Sequence, residues 1–306
     1  MGYLFIFTAL LCGTVKGFFG KKISDKTSGL KSAVFSNFIR MLFCIPIGLL
    51  FVCFDGSFSA MLVSKKILLI SAFSGVFTSI FIVSWLLAAQ KSAYTSIDAF
   101  LSVGLLIPIL FSRFFYGESI TASQILGLGL LFVSAFIMSA YTNQIKQKLR
   151  FSSVLLLLVV GAANGFTDFS LKIFTKNANE TPVSVFNFYV YLFSGITLLL
   201  LFLFLKEKPR QENAEFCENK KQAMLDKRKI LYIAVMAVFL FCYSYFKTLA
   251  SERLAAVLIY PLMQGGAILS SMLMSALCFK EKIKPLCLLG MTILFVGLLF
   301  INVLIF

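Results

Sequence analysis

Residues 67–90 read ILLISAFSGVFTSIFIVSWLLAAQ, with no charged side chain among them. A helix rising ~1.5 Å per residue needs ~20 apolar residues to cross the ~30 Å hydrocarbon layer of a bilayer, so this stretch can span one. Four more uncharged stretches share its character: 119–145, 181–205, 254–279 and 285–306. Five others reach spanning length with one ionisable residue each: 1–20 with Lys16, 32–54 with Arg40, 92–112 with Asp98, 151–171 with Asp168 and 230–251 with Lys247. The sequence therefore predicts an all-α integral membrane protein of ten transmembrane helices. A barrel is excluded by pattern, because its strands are ~10 residues of alternating polarity and these runs are continuous.

Composition agrees. The 306 residues are 59% hydrophobic and 13% charged, against ~45–50% and ~25% in soluble domains, too few polar groups for a wetted shell. The net charge of +15 is dispersed between the apolar runs, which is a topology signal and not the one-sided basic face of a nucleic-acid binder. Of seven cysteines, six (Cys12, Cys44, Cys53, Cys242, Cys278, Cys287) sit in apolar stretches and read as packing residues. There is no His and no close Cys cluster, so neither a metal site nor a cofactor is expected. The segment Tyr3-Leu4-Phe5-Ile6-Phe7 has no basic residue before it and is expected to be a retained first span, not a cleaved signal peptide.

Residues 206–229 form a polar loop with eight Lys/Arg and five Asp/Glu. Loops 1–2, 3–4, 5–6, 7–8 and 9–10 hold 19 Lys/Arg and the opposite set 7. The positive-inside rule then places the first set, with 206–229, in the cytoplasm and both chain ends outside, in the cell membrane.

The chain also repeats itself. Gly117-Glu118-Ser119-Ile120 aligns with Lys280-Glu281-Lys282-Ile283, and the same offset pairs Gly127 with Gly290, Phe132 with Phe295 and Val133 with Val296. Gly13-x-x-x-Gly17-Phe18 recurs as Gly161-x-x-x-Gly165-Phe166, and Val34-Phe35-Ser36-Asn37-Phe38 recurs with one deletion as Val185-Phe186-Asn187-Phe188. Two five-helix units follow, 1–142 and 143–306. An odd number of spans forces the second to enter from the opposite side, giving an inverted pair suited to alternating access.

On the 5+5 layout, the Gly117-Glu118 and Lys280-Glu281 landmarks, the Gly-rich helices after them and Asn37-Phe38-Ile39-Arg40, the whole chain resembles the drug/metabolite transporter superfamily, in its ten-helix EamA-like branch. The resemblance implies a secondary carrier with a central cavity between the halves, no ATPase motor, and amino acids, other metabolites or drugs as substrates. It also implies cytoplasmic termini, opposite to the charge count.

A charge in hydrocarbon costs ~2.5–3.5 kcal/mol on insertion scales, so the five ionisable residues in spans mark candidate sites. By position in the apolar runs, Arg40 lies ~4–5 Å from the middle of its span, Asp98 ~6 Å, Lys16 ~8 Å, and Asp168 and Lys247 ~10 Å. Lys16, Arg40 and Asp98 fall in the half nearer the basic loops, Asp168 and Lys247 in the other. This distribution predicts two gates: Arg40 with Asp98, assisted by Lys16, and Asp168 with Lys247. Asn37, Asn164, Asn187 and Gln264 are the neutral polar residues near the midplane, with Trp85, Tyr94, Tyr243, Tyr245 and Tyr260 as aromatic candidates for substrate contact. The amides serve equally as hydrogen-bonding glue between helices. Proton coupling, without His, would use Asp98 or Asp168. Gly-x-x-x-Gly pairs predict close helix contacts, Gly265-Gly266 after Pro261 a bend or backbone access, and Glu118 and Glu281 the starts of the following helices.

The expectation is a secondary transporter, not an enzyme: an exporter of a small molecule such as an amino acid or related polar compound. No His, close acid pair or Gly-x-Ser-x-Gly elbow supports catalysis. The alternatives are a lipid or lipid-linked sugar flippase and a non-transporting partner protein docking through 206–229.

Overall fold

The computed structural model describes residues 1–27, 29–91, 94–143, 151–178, 181–205, 227–278 and 285–302; most of the polar loop lies outside them. The described elements are helices, α1 (Gly2–Asp25), α2 (Gly29–Phe54), α3 (Lys65–Lys91), α4 (Tyr94–Gly104), α5 (Leu106–Tyr116), α6 (Ala122–Asn143), α7 (Phe151–Asn177), α8 (Val183–Phe204), α9 (Lys227–Arg253), α10 (Ala256–Cys278) and α11 (Pro285–Asn302), with a 3₁₀ turn at Phe58–Met61. Six are long and apolar enough to cross a membrane by themselves, and four shorter apolar stretches, one running from α4 into α5, complete ten spans.

The fourth span differs from the single helix expected over 92–112: it is broken between Gly104 and Leu106. Pro108 stands four residues after Gly104, where its missing N–H leaves the Gly104 carbonyl without a helical donor and its ring crowds that carbonyl. Gly117, at φ +63°, ends α5 in the left-handed conformation that glycine adopts without strain.

Helix pairing shows the two-repeat architecture. α1 packs on α9 as α7 packs on α3; α2 on α9 matches α8 on α3; α2·α8 and α6·α11 join equivalent spans of the two halves. α1 and α9 run antiparallel, since Gly2 lies at Leu254, Gly13 at Tyr243 and Gly20 at Met236.

Individual contacts obey the same exchange. Ala72, Val76, Phe77, Leu87 and Ala88 of α3 recur as Ala234, Val238, Phe239, Leu249 and Ala250 of α9, which makes Trp85 the counterpart of Lys247 and Ile82 that of Ser244. The hydrogen bond from Asn37 to the Ile82 carbonyl is thus mirrored by that from Ser244 to Asn187. The close approach of Gly127 to Gly297 is mirrored by Ser134 donating to the Gly290 carbonyl at 2.7 Å. Long apolar side chains such as Leu126, Leu203 and Phe114 point outward, as a lipid-facing surface requires.

The glycine motifs divide. A Cβ on Gly161 would stand 2.3 Å from the Phe100 carbonyl oxygen and one on Gly165 2.4 Å from that of Gly104, so this motif is a backbone-to-backbone crossing of α4 and α7. In the first motif Gly13 abuts only the Tyr243 ring and Gly17 has open space. Gly265 and Gly266 are filled by Leu298 and Leu10, so they serve packing.

Candidate functional site along α9

Met236, Leu240, Tyr243 and Lys247 recur at helical spacing and so share one face of α9. Three elements bring charges to that face. From α2, Arg40 donates through Nη1 to the Met236 thioether at 3.4 Å; Nη2 donates to Asn37 Oδ1, and Nε, buried, has no partner among the described residues. From α1, Lys16 Nζ stands 3.9 Å from the centre of the Tyr243 ring, a cation–π contact. From α7, Asp168 Oδ1 pairs with Lys247 Nζ at 2.5 Å.

The Asp168–Lys247 pair is fully enclosed, with the two residues 2% and 5% exposed. Asn164 Nδ2 reaches Asp168 Oδ2 at 3.5 Å, and the Tyr260 hydroxyl donates to the Asp168 carbonyl at 2.7 Å. Lys247 Nζ also lies 5.5 Å from the Tyr243 ring and 5.7 Å from that of Tyr260. Under the repeat exchange this pair lands on Gly20 and Trp85, and those touch as well: a Cβ on Gly20 would meet the indole at 3.1 Å. One end of the ladder is thus held by an ion pair and the equivalent position at the other by an indole against a glycine.

The helices outrun the apolar stretches, because their ends continue into the interfacial region, and this moves Arg40, Lys16 and Asp168 inward from their sequence-based depths while Lys247 stays where it was. Measured from helix midpoints at ~1.5 Å per residue, Arg40 lies about 2 Å, Lys16 about 4 Å, Asp168 about 6 Å and Lys247 about 10 Å from the middle. Lys16, grouped by sequence with Arg40 and Asp98, stands over Tyr243, beside the Lys247 end. The side chains of Asp98 and Tyr94 lie outside the described residues. α4, which carries them, packs on α6 and α7, whereas Arg40 contacts α9.

Asn187 accepts from Ser244 at 2.7 Å and donates to its own helix at Val183, so it ties α8 to α9. Gln264 is buried one turn beyond Tyr260 on α10. Tyr245 faces the opposite side, towards Asp55.

A second ionic cluster was not legible in the sequence. Glu118 does not sit at the start of α6 as expected. Its Oε2 accepts from the Ala256 backbone N–H at the start of α10, and its Oε1 pairs with Lys172 at 2.9 Å and Lys176 at 3.9 Å. Lys172 Nζ in turn donates to the Leu254 carbonyl at 2.9 Å. The cluster ties the α5–α6 connection to α7, α9 and α10 on the membrane side where Asp168–Lys247 lies. Lys172 follows Asp168 by one helical turn. It reads as a loop residue only because the apolar run stops at residue 171.

Fold and site define a multi-pass helical membrane protein of two repeats with a polar seam between them. The profile of the EamA-like transporter family matches in two stretches, residues 1–140 and 151–303, and the chain belongs to that family of membrane transporters. A solved structure titled only "Crystal structure of protein" is similar over 99% of this chain and 97% of its own at 14% identity, TM-score 0.69, which supports the fold alone. No curated protein matches the sequence.

Proposed function

We propose that this transporter is a secondary carrier that moves a small polar metabolite by alternating access, with α9's inner face as the pathway. The observation that carries this reading is the equivalence of Asp168–Lys247 and Gly20–Trp85. They occupy exchanged positions on opposite sides of the midplane, so a swap of conformations between the repeats would open one contact and keep the other closed. Arg40 and Lys16 lie between them. Asp168–Lys247 is then one gate and Trp85 against Gly20 the other, with Asn37 and Asn187 tying together helices that move and Asn164 steadying Asp168.

Reconstituted protein is expected to catalyse counterflow, uptake of a labelled metabolite driven only by the same compound trapped inside, without ATP. Flux that depends on ATP, or an ionic conductance without exchange, would contradict the carrier.

The direction is export from the cytoplasm across the cell membrane, with the 206–229 loop cytoplasmic and both termini outside. Two of the seven Lys/Arg counted on the sparse side, Lys172 and Lys247, are buried within helices, which sharpens the charge asymmetry behind this orientation. With the other cysteines replaced, Cys217 should resist an impermeant thiol reagent in intact cells and react after permeabilisation. Labelling in intact cells would reverse the orientation.

A further inference from the structure

Between the two gates the charges do not balance. Among the described residues Lys16, Arg40 and Lys247 face one carboxylate, Asp168, and Lys247 already holds it. Counting Asp98 still leaves three cations to two acids. Arg40 and Lys16 have no carboxylate partner among the described residues: Arg40 rests on an amide and a thioether, and Lys16 on an aromatic face. Lys16 lies within the electrostatic influence of Lys247, Arg40 and Asp168, so two cations repel it and the one carboxylate that attracts it is already held by Lys247, in a medium that screens little.

The guanidinium is also incompletely used. Nε has no acceptor among the described residues, and the Nη1 acceptor is sulfur, a weak one. A planar donor fork left this way near the middle of a bilayer suits an oxygen anion, which Arg binds through paired charge-assisted hydrogen bonds. Met236, on the stripe that leads to Tyr243 and Lys16, is a flexible thioether that can yield the position. The Arg40 and Lys16 contacts, at Met236 and Tyr243, are seven residues apart on α9, or ~10 Å, a separation that the length of a small metabolite matches.

We infer that the transported molecule carries an oxyanion, carboxylate or phosphate, bound at mid-membrane between Arg40 and Lys16. The inference rests on the carrier reading and narrows it. A neutral or purely cationic cargo would leave both cations uncompensated at every passage, whereas an oxyanion neutralises charge that the empty site must otherwise bear.

The test uses the full chain in phosphatidylcholine vesicles, which present no net-anionic headgroup, and matched pairs differing in the oxyanion: succinate against succinamide, glucose 6-phosphate against glucose, leucine against isoamylamine. Counterflow and thermal stabilisation are expected for an oxyanion member and not for its partner. Which pair responds separates carboxylate from phosphate. Arg40→Gln should weaken binding of the active compound about 30-fold or more, the scale for truncating a buried charge contact, with Arg40→Lys in between. Lys16→Gln, which removes no described hydrogen bond, should weaken it in the same direction and guards against a folding artefact in Arg40→Gln. Equal counterflow of glucose, succinamide or isoamylamine with its partner overturns the inference and leaves the carrier standing, as does unchanged affinity in both variants. Absence of counterflow for every compound overturns the carrier reading itself.

Discussion

Lys247→Ala is expected to destabilise the purified protein by about 3–5 kcal/mol and to abolish counterflow. Removing one member of an enclosed ion pair leaves the other charge uncompensated, and that penalty exceeds the net worth of the pair. Among the described residues Asp168 would keep the long contact from Asn164 at 3.5 Å and the more distant charge of Lys16. Asp168→Asn should cost less, because the amide oxygen still accepts from Lys247, but it strands a third cation in the seam. The exchange Asp168→Lys with Lys247→Asp should recover part of both stability and transport, since it restores the attraction each single change destroys. Thermal melting in detergent and counterflow together read the result. A Lys247→Ala protein that melts and transports like the wild type would show that the pair neither holds the helices nor gates them.

Gly104→Val should be the other severe change. Even its Cβ would lie 2.1 Å from the Gly161 carbonyl oxygen, and the obstacle is backbone, which cannot swing aside. α4 and α7 would have to separate along the crossing that Gly161 and Gly165 also form. Overpacking a tight contact costs roughly 1–3 kcal/mol and more where nothing can rearrange, so a large fall in melting temperature and folded yield is expected. Gly17→Ala is the control: among the described residues no atom beyond its own stretch of helix lies within 4 Å of its Cβ, and alanine favours helix by roughly 0.8–1 kcal/mol. It should melt at or above the wild-type temperature. Gly104 meets the Gly161/Gly165 motif and Gly17 belongs to its counterpart in α1, so opposite signs would separate a contact glycine from an incidental one.

Much of the fold was legible because lipid imposes a length on every span and the repeat leaves its mark in matched residues. The apolar run at 67–90 and the Gly13/Gly161 correspondence suffice for helix number and duplication. The break at Leu105 was written in Pro108 and Gly104, but hydropathy averages over it. The site was less legible. Spacing brought Lys16, Arg40, Asp168 and Lys247 to notice as costly charges, yet it could not say that α9 threads between them, nor that Tyr243 underlies Lys16. Those are contacts between segments more than 190 residues apart in the chain for Arg40 and Met236. The pairing of Glu118 with Lys172 escaped because each lies at the edge of an apolar run, where a charge ordinarily meets water.

The proposed alternation of gates can be measured without knowing the substrate. Spin labels at Lys176 of α7 and Glu252 of α9 report the Asp168–Lys247 end. Labels at Lys26, just past α1, and Gln90 of α3 report the Gly20–Trp85 end. In the Lys247→Ala background the first distance should lengthen while the second stays short or shortens, since in the proposed cycle the repeats exchange conformations and do not open together. Lengthening of both distances at once, or no change in either, would contradict alternating access through this seam.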